Sequence, residues 1–376
     1  MPTIDFIYFD AGGGHRAAAT ALKAVIEQQK RPWQIRLVNL QEILDVLDVF
    51  RKVTGIRLED IYNLLLKKGW TLGSAQMLMF MHGVQRVYHR PIVNLLKRHW
   101  MSTKPDMVVS LVPNFNRPMW ESLRAVQPGT PYVTILTDFA DYPPHFWIEQ
   151  QEQFFVTGTD KAYQQALAAG HTPERIFQAS GMIIRPMFYE TVEVDRAAER
   201  RKIGLDPTKP TGIVLFGGQG SSVMVKIAER LAKSDLDVQL IMICGRNEQL
   251  AVKLRQLKSR IPIHVEGFTT EIPHFMRLAD FLIGKPGPGS ISEAVAMKLP
   301  VIIERNAWTL PQERYNADWV KEHGAGLVLQ NFTGIETAVR EFLKPGALES
   351  YGANVGAIRN CAIFEIPDYL AKLLRQ

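Results

Sequence analysis

Residues 282–320 read LIGKPGPGSISEAVAMKLPVIIERNAWTLPQERYNADWV, and this stretch decides the fold of the second half of the chain. The apolar run Phe281–Ile283 leads into it and predicts a buried strand, and Pro300–Ile303 predicts a second one. Between them, Ser290 and Glu293 form the S-x-x-E pattern of a capping box, which predicts a helix that begins at Ser290. This order of strand, turn and helix favours an anion at the helix start, because free N–H groups and the positive end of the helix dipole point outward there.

The turn and the loop that follow these two strands carry groups that suit a nucleotide-sugar. Gly287 and Gly289 flank a proline, so we expect the backbone to take a positive φ or to approach another group closely. The loop after the second strand carries Gln312, Glu313 and Asn316. Carboxylates accept hydrogen bonds from ribose and hexose hydroxyls, while N–H groups at a helix start hold a diphosphate.

The pattern K-x-G-P-G-S-x-x-E-A at 285–294, followed by P-Q-E-x-x-N at 311–316, resembles the C-terminal half of one group of glycosyltransferases. That group includes the plant and bacterial monogalactosyldiacylglycerol synthases, with the lipid II-forming N-acetylglucosaminyltransferase as a more distant relative. The resemblance implies an α/β chain of the GT-B fold, in which two Rossmann-like domains face each other across a cleft. It also implies a UDP-sugar donor, inversion at the anomeric carbon and a membrane-lipid acceptor, which we expect to be diacylglycerol.

The bulk composition agrees with a globular protein of two domains. The chain has 376 residues, of which 46% are hydrophobic and 22% are charged, so it is long enough for two cores and is not expected to be disordered. The net charge of +6 favours an anionic partner, such as an acidic membrane or a phosphorylated substrate. The two cysteines, Cys244 and Cys361, form no disulfide framework, so we expect a cytoplasmic protein. No apolar run reaches the length of a membrane span, and any membrane association is expected to be peripheral.

Three segments are predicted along the chain. Residues 1–185 are expected to form an N-terminal Rossmann-like domain that faces the acceptor and the membrane. Residues 186–360 are expected to form a C-terminal Rossmann-like domain that binds the UDP-sugar. Residues 361–376 are expected to form a C-terminal helix that packs back on the N-terminal domain, as chains of the GT-B fold commonly do.

Residues 61–104 differ in composition from the rest of the chain. They contain lysines and arginines but no Asp or Glu, and these alternate with Trp70, Trp100 and the run Met77–Met81. A basic, aromatic and Met-rich element is typical of a segment that lies on an anionic bilayer. A pair of core helices with a basic surface fits the same periodicity, and this alternative stays open. No nucleic-acid-binding motif accompanies the charge, so no nucleic-acid partner is expected.

Further glycine-containing loops in the second half are expected to hold the donor. Residues 212–216 predict a strand that ends in GGQGS at 217–221, and residues 238–244 predict a strand that ends in GRN at 245–247. In the enzymes that the chain resembles, the first loop faces the diphosphate, and the backbone after the G-F at 267–268 holds the uracil. The residues assigned to the donor site are Gly14, Gly217, Gly218, Gln219, Gly220, Ser221, Gly245, Arg246, Phe268, Lys285, Gly287, Gly289, Ser290, Glu293, Gln312, Glu313 and Asn316.

Several of these residues have individual roles. Lys285 and Arg246 are the cations expected beside the leaving phosphates. The resemblance assigns Glu293 to the ribose, while capping of the helix is the alternative use of the same carboxylate. Gln312–Glu313 are assigned to hexose hydroxyls. Pro311 stands where the related enzymes usually have Gly, which stiffens the backbone and removes an N–H, so the identity of the hexose stays open.

The general base has two candidates, His15 and Asp138. His15 lies in the GGGHR turn at 12–16, which resembles the turn on the acceptor side of the cleft, and a histidine has a suitable intrinsic pKa. Asp138 follows a predicted strand, and ligands of parallel sheets meet the carboxyl ends of strands. The T-D…H-x-W arrangement from Thr137 to Trp147 resembles that of the same enzymes, where we expect it to shape the acceptor entrance. No metal or other cofactor is expected, since helix dipoles and cations can carry the charge of the diphosphate.

Two other classes of function stay open. A UDP-sugar 2-epimerase shares this fold and this kind of cleft, although it has no use for a basic and aromatic segment without acids. A non-catalytic nucleotide- or lipid-binding protein would bind UDP without releasing it from any donor.

Overall fold

A computed structural model describes residues 1–10, 13–45, 74–142 and 145–375, with the backbone alone at 74–87. The chain forms two parallel sheets of six strands each. The strands of the first sheet are β1 Thr3–Tyr8, β2 Gln34–Asn39, β3 Met107–Ser110, β4 Tyr132–Ile135, β5 Phe154–Thr157 and β6 Ile176–Gln178. Those of the second sheet are β7 Thr211–Leu215, β8 Gln239–Ile243, β9 Ile263–Glu266, β10 Phe281–Gly284, β11 Val301–Glu304 and β12 Gly326–Leu329.

Helices connect the strands in both sheets. The first domain contains α1 Gly14–Gln28, α2 Leu40–Leu44, α3 Ser74–Thr103, α4 Asn116–Val126 and α5 Asp160–Ala168. The second contains α6 Arg196–Lys202, α7 Val223–Lys233, α8 Glu248–Arg255, α9 Ile272–Leu278, α10 Pro288–Ala296, α11 Arg314–Glu322, α12 Ile335–Phe342 and α13 Ala347–Ala357, and α14 Ala362–Leu373 follows. Short 3₁₀ turns lie at Pro173–Arg175, Pro186–Phe188, Pro311–Glu313 and Phe332–Gly334.

The strands β7 and β8 are buried along their whole length and mostly apolar, because both faces of the second sheet are covered there. In β7 and β8, Ile213 and Ile241 pack into one core cluster, while Val214 and Met242 pack into the cluster on the opposite face. Successive side chains of a strand point to opposite faces, so a strand buried on both sides reads as a continuous apolar run. The predicted α/β architecture of two Rossmann-like domains is confirmed.

The strand order places one binding crevice in each sheet. The second sheet has the order β12-β11-β10-β7-β8-β9, so the chain reverses its direction of travel between β7 and β10. The first sheet has the order β2-β1-β3-β4-β5-β6, with the reversal between β1 and β3. Ligands of open parallel sheets bind beyond the carboxyl ends of the strands at this reversal. The glycine loops after β7 and β10 flank it in the second sheet, and the turn that carries His15 flanks it in the first.

Two stretches of chain cross between the sheets side by side. The Asn360 side-chain amide donates to the Met182 carbonyl at 3.0 Å, and the Glu365 carboxylate accepts from the Ser180 amide at 2.8 Å. A side chain at Gly181 would overlap Asn360, so only glycine lets the two stretches lie this close. Beyond the second crossing, α14 packs against α1 and the core of the first sheet.

The basic and aromatic segment at 61–104 falls partly on residues outside the described chain, since residues 61–73 are not described. From Tyr88 onward, α3 buries Ile92, Leu96 and Trp100 in the core of the first domain and leaves Arg90 and Arg98 exposed. Residues 88–104 therefore show the apolar packing expected of a core helix, and they also carry exposed basic residues of the kind expected of a bilayer-surface segment. Among the described residues, no helix is long and apolar enough to cross a membrane.

The start of α10 differs from the prediction. The helix begins at Pro288, and Gly287 precedes it with a φ of −74° and no capping side chain. Proline suits the first helical position because it has no N–H to satisfy and its φ already fits a helix. The predicted capping box of Ser290 and Glu293 is therefore wrong. Of the two alternatives predicted for Gly287 and Gly289, a positive φ is not found. The close approach is found at Gly287, where a Cβ atom would lie 3.2 Å from the Lys285 side chain.

Candidate functional site

The loops after β7 and β8 interlock at the crevice of the second sheet. Gly217, Gly220 and Gly245 all have a positive φ, with values of 72°, 60° and 58°. The Arg246 amide donates to the Gly218 carbonyl at 2.9 Å. A Cβ atom on Gly245 would lie 2.7 Å from the Gly218 carbonyl carbon, so the two loops approach as closely as glycine allows.

This interlocked pair leaves backbone open to a ligand just before α7. A Cβ atom on Gly217 or Gly218 would meet nothing within 4 Å. Gln219 is exposed, and its carbonyl accepts from the Asn247 side chain at 3.3 Å. The Ser221 hydroxyl lies 3.3 Å from the Val223 amide, at the start of α7. The loop can therefore present main-chain N–H groups and the positive end of a helix dipole to a phosphate.

Arg246 and Phe268 form a second feature at the same edge of the sheet. The Arg246 guanidinium lies over the Phe268 ring, 4.9 Å from its centroid. Phe268 is 59% exposed, although it is a large apolar side chain. The pair offers an aromatic face and a cation at the mouth of the crevice, next to the loop where the resemblance expects the uracil.

Lys285 and Glu313 form an ion pair at the start of α10. The ammonium and carboxylate are 3.0 Å apart, and the neighbouring Glu313 carboxylate raises the pKa of Lys285. A Cβ atom on Gly287 would lie 3.2 Å from the Lys285 side chain and 3.7 Å from the Glu313 carboxylate. The glycine therefore leaves the space in which this pair packs.

Asn316 and Gln312 differ in their exposure, although both lie close to the Lys285–Glu313 pair in sequence or in contact. Asn316 is fully buried, and its side-chain amide donates to the Pro286 carbonyl at 2.7 Å. It therefore supports the loop that carries Lys285, and its assignment to the donor site stays a prediction. Gln312 is half-buried in the turn Pro311–Glu313 beside the ion pair.

Glu293 does not cap α10 and is paired with Arg185 instead, which the sequence analysis did not identify. Their nearest atoms, Oε1 and Nη2, are 3.6 Å apart. Burial raises the pKa of Glu293 to about 7, and the nearby guanidinium opposes that rise. Ser290 and Gly289 lie in the first turn of the same helix, with their side-chain positions open or half-buried.

On the facing domain, His15 lies in the first turn of α1, immediately after Gly14 and the positive-φ Gly13. Its Nδ1 atom is 3.1 Å from the Thr137 hydroxyl. Burial lowers the pKa of His15 to about 4, and the Leu111 backbone opposes this only in part. The imidazole is therefore neutral at physiological pH, with its Nδ1 atom against the Thr137 hydroxyl.

Asp138 connects the two domains electrostatically. Its Oδ2 atom accepts a hydrogen bond from the indole of Trp147 at 2.8 Å. Burial raises the pKa of Asp138 to about 7, Glu313 of the facing domain raises it further, and Lys285 of that domain lowers it. Lys285 and Glu313 therefore act on the ionisation of Asp138 from the facing domain, which links this base candidate to two of the predicted donor residues.

The T-D…H-x-W arrangement has a more specific role than the predicted acceptor entrance. Trp147 is fully buried, lies 5.8 Å from the His15 ring between centroids and fixes Asp138. His145 has a φ of 52° and turns its ring to the Ile148 carbonyl, 3.0 Å away. Thr137 and Trp147 thus orient the two base candidates, and their place in the motif was the available signal for this.

In the described ranges, no group of three or more His, Cys, Asp or Glu side chains is placed so that it could hold a metal ion.

Known proteins are similar to this chain in its second domain and over nearly its whole length. Residues 213–349 match the glycosyltransferase family 28 C-terminal domain. The chain is 28% identical over 390 residues to the chloroplastic monogalactosyldiacylglycerol synthase of Spinacia oleracea, covering 98% of this chain and 72% of that protein. It is 28% identical over 389 residues to monogalactosyldiacylglycerol synthase 1 of Arabidopsis thaliana, covering 98% of this chain and 70% of that protein.

Solved structures share the fold at low identity. The MurG structure from Acinetobacter baumannii has a TM-score of 0.67 and 11% identity, covering 99% of this chain and all of that one. A UDP-GlcNAc 2-epimerase from Neisseria meningitidis, bound to UDP-GlcNAc, has a TM-score of 0.60 and 14% identity, covering 99% of this chain and all of that one. These likenesses establish the GT-B fold, while the likeness to the synthases over nearly the whole chain supports the resemblance seen in the motifs.

The interlocked glycines yield a test of the donor site. Gly245→Ala should weaken the binding of UDP, the nucleotide expected from the sequence, by at least ~10-fold, because a side chain forces the loops apart and is strained at positive φ. Gly346→Ala is the matched control, since Gly346 has a φ of 76° and open space around it. Calorimetric titration with UDP should find the control unchanged. Equal UDP affinity in Gly245→Ala and the wild type would contradict this assignment.

Proposed function

We propose that this chain is an inverting glycosyltransferase that moves a hexose from a UDP-sugar to a membrane lipid, with diacylglycerol as the acceptor. The observation that carries the proposal is that Trp147 holds Asp138 and lies against His15, while the Lys285–Glu313 pair of the facing domain acts on the ionisation of Asp138. The likeness to monogalactosyldiacylglycerol synthases over 98% of the chain supports the same reaction.

The donor would bind the second domain. The diphosphate would lie against the backbone N–H groups before α7 and α10, where the helix dipoles favour negative charge. Lys285 and Arg246 are the cations that would stabilise the charge on the leaving UDP. We propose that the enzyme uses no metal and no further cofactor, because these groups already offset the developing charge.

The sugar and the nucleoside would be recognised by different residues. The Glu313 carboxylate would accept hydrogen bonds from hexose hydroxyls, and the Gln312 amide could both accept and donate them. Lys285 would hold the Glu313 carboxylate in place. Glu293 would accept from the ribose hydroxyls, since its carboxylate is not used as a helix cap. The backbone after Phe268 would hold the uracil, with the ring itself exposed at the mouth of the crevice.

In the reaction, the acceptor hydroxyl oxygen would bond to the anomeric carbon while the bond from that carbon to the UDP oxygen breaks. The hydroxyl proton would pass to His15 Nε2, and UDP would leave with both electrons of the broken bond. His15 suits this role because it is neutral before the donor binds. The negative diphosphate then raises the pKa of His15 towards the working range of a general base. Attack on the face opposite the leaving group inverts the anomeric centre.

We further propose that the enzyme associates peripherally with an anionic membrane through α3. Arg90 and Arg98 are exposed on this helix, and Met101 is 62% exposed one turn beyond Arg98. From Tyr88 to Lys104 the sequence contains no Asp or Glu. Basic side chains with an apolar neighbour suit the surface of an anionic bilayer.

The first test measures UDP release from a panel of UDP-sugars with and without diacylglycerol in anionic vesicles. We expect release from one donor that requires diacylglycerol, with a glycolipid of inverted anomeric configuration as the product. Release of UDP without diacylglycerol, or formation of an epimer of the donor, would contradict the proposed acceptor and favour the epimerase reaction.

The second test separates the two base candidates. His15→Gln should lower kcat by about 10²- to 10⁴-fold. At saturating donor, the acid limb of the pH profile of kcat should lie above about 4 and should persist in Asp138→Asn, because His15 must be deprotonated and the bound diphosphate raises its pKa. An acid limb near pH 7 that disappears in Asp138→Asn would instead identify Asp138 as the base, since it loses its carboxylate as the pH falls through about 7.

The third test addresses the membrane surface. The double variant Arg90→Gln/Arg98→Gln should bind anionic vesicles about 30-fold more weakly, at about 1 kcal/mol for each basic residue near the surface. Lys226→Gln/Arg230→Gln, which removes the same charge from the exposed side of α7, is the control and should bind as the wild type does. Co-sedimentation at rising salt should weaken wild-type binding. Vesicle binding that changes neither with salt nor with lipid charge, and that is equal in the α3 variant and the wild type, would contradict the proposal.

A further inference from the structure

We propose that Arg185 is a positioning residue of the nucleotide site, which keeps Glu293 ionised so that its carboxylate can accept hydrogen bonds from the ribose hydroxyls. This inference rests on the proposed UDP-sugar site and extends it. It assigns a role to the end of the first interdomain crossing, which the sequence motifs do not include.

The geometry holds Arg185 beside Glu293 from a fixed support. The two side chains approach to 3.6 Å, with Glu293 19% exposed and Arg185 36% exposed. The Arg185 guanidinium lies over the Phe188 ring, 5.1 Å from its centroid. Phe188 is buried in the same core cluster as Ile291 and Val295 of α10, the helix that carries Glu293. The arginine therefore keeps its position relative to Glu293 because both are anchored in one core.

The chemistry of a ribose explains why the charge of Glu293 matters. Two adjacent hydroxyl groups donate hydrogen bonds, and an ionised carboxylate has two acceptor oxygens for them. A protonated carboxyl group carries a donor of its own and accepts less strongly. Burial favours the protonated form and raises the pKa of Glu293 to about 7 even beside Arg185. Without the guanidinium, the pKa would rise further, and the group would be largely neutral at physiological pH.

The charges around Glu293 are few in the part of the chain that the structure describes. Arg185 is the charged group that acts on its pKa. The Lys285–Glu313 pair packs around Gly287 at the start of the same helix, where each charge faces the other. The ionisation of Glu293 therefore depends mainly on one guanidinium.

A purely structural role for Arg185, as a clamp between the crossing and α10, makes a different prediction. Loss of a clamp lowers stability at every pH and affects ligands with and without ribose hydroxyls alike. Loss of a charge that keeps Glu293 ionised affects only ligands with those hydroxyls, and the effect decreases as the pH rises and Glu293 ionises unaided.

The experiment measures UDP and 2′,3′-dideoxy-UDP binding by calorimetry between pH 7 and pH 9. Arg185→Met keeps an apolar side chain on Phe188 and removes the charge, Arg185→Lys restores the charge, and Arg196→Met is the control. Arg196 pairs with Asp280 at 2.7 Å on the same domain, outside the residues assigned to the donor. We expect Arg185→Met to bind UDP ~10-fold more weakly at pH 7 and to approach wild-type affinity by pH 9. Arg185→Lys and the control variant Arg196→Met should bind UDP with wild-type affinity. All three variants should bind dideoxy-UDP with the same affinity as the wild type binds dideoxy-UDP.

The outcomes separate this inference from the proposed function. Wild-type protein that binds no UDP would overturn the proposed donor site and the inference with it. If the wild type binds UDP and Arg185→Met binds it with equal affinity at every pH, the inference is overturned while the proposed donor site stands. An equal loss for UDP and dideoxy-UDP that does not vary with pH would also overturn it, in favour of the clamp.

Discussion

The electrostatic influence of Lys285 and Glu313 on Asp138 is the interaction on which the proposed site depends. Lys285 lies 3.0 Å from Glu313, and both influence the ionisation of Asp138 on the facing domain. Burying charges costs free energy unless each is paired, and removing one partner leaves the others uncompensated. Lys285 is the cation that offsets both carboxylates. A donor that engages Glu313 therefore also changes the environment of Asp138.

Local signals were sufficient to predict most of the fold. Apolar runs, glycine loops and helical periodicity are properties of neighbouring residues, so they identified β10, β11 and the loop after β7. The start of α10 was predicted wrongly for a local reason as well. Two patterns competed at Pro288 and Ser290, and the preference of proline for the first helical position prevailed over the capping box. Residues 61–73 lie outside the described chain, so that part of the predicted membrane segment stays a prediction.

The contacts that complete the site could not be read from the sequence, because they join residues far apart in the chain. Thr137 meets His15, Arg185 meets Glu293, and Asn316 supports Pro286 from behind. No spacing rule connects such pairs. The motif indicated that Thr137 and Trp147 matter, but only the packed structure indicates that they orient His15 and Asp138. Asn316 is assigned to the donor from its motif position, and its hydrogen bond to the Pro286 carbonyl gives it a supporting role that the motif does not indicate.

Burial shifts the pKa values of the two base candidates in opposite directions, and this difference underlies the separate roles proposed for them. It lowers the pKa of His15 to about 4 and raises that of Asp138 to about 7. Both shifts favour the neutral form, because a low-dielectric site penalises charge of either sign. An anionic donor therefore enters a cleft with little opposing negative charge at Asp138. In the proposed reaction, the diphosphate then favours the protonated form of His15, so that proton transfer becomes easier only once the donor is bound. A histidine that is neutral and poorly basic before binding would in this way be made a competent base by the substrate itself.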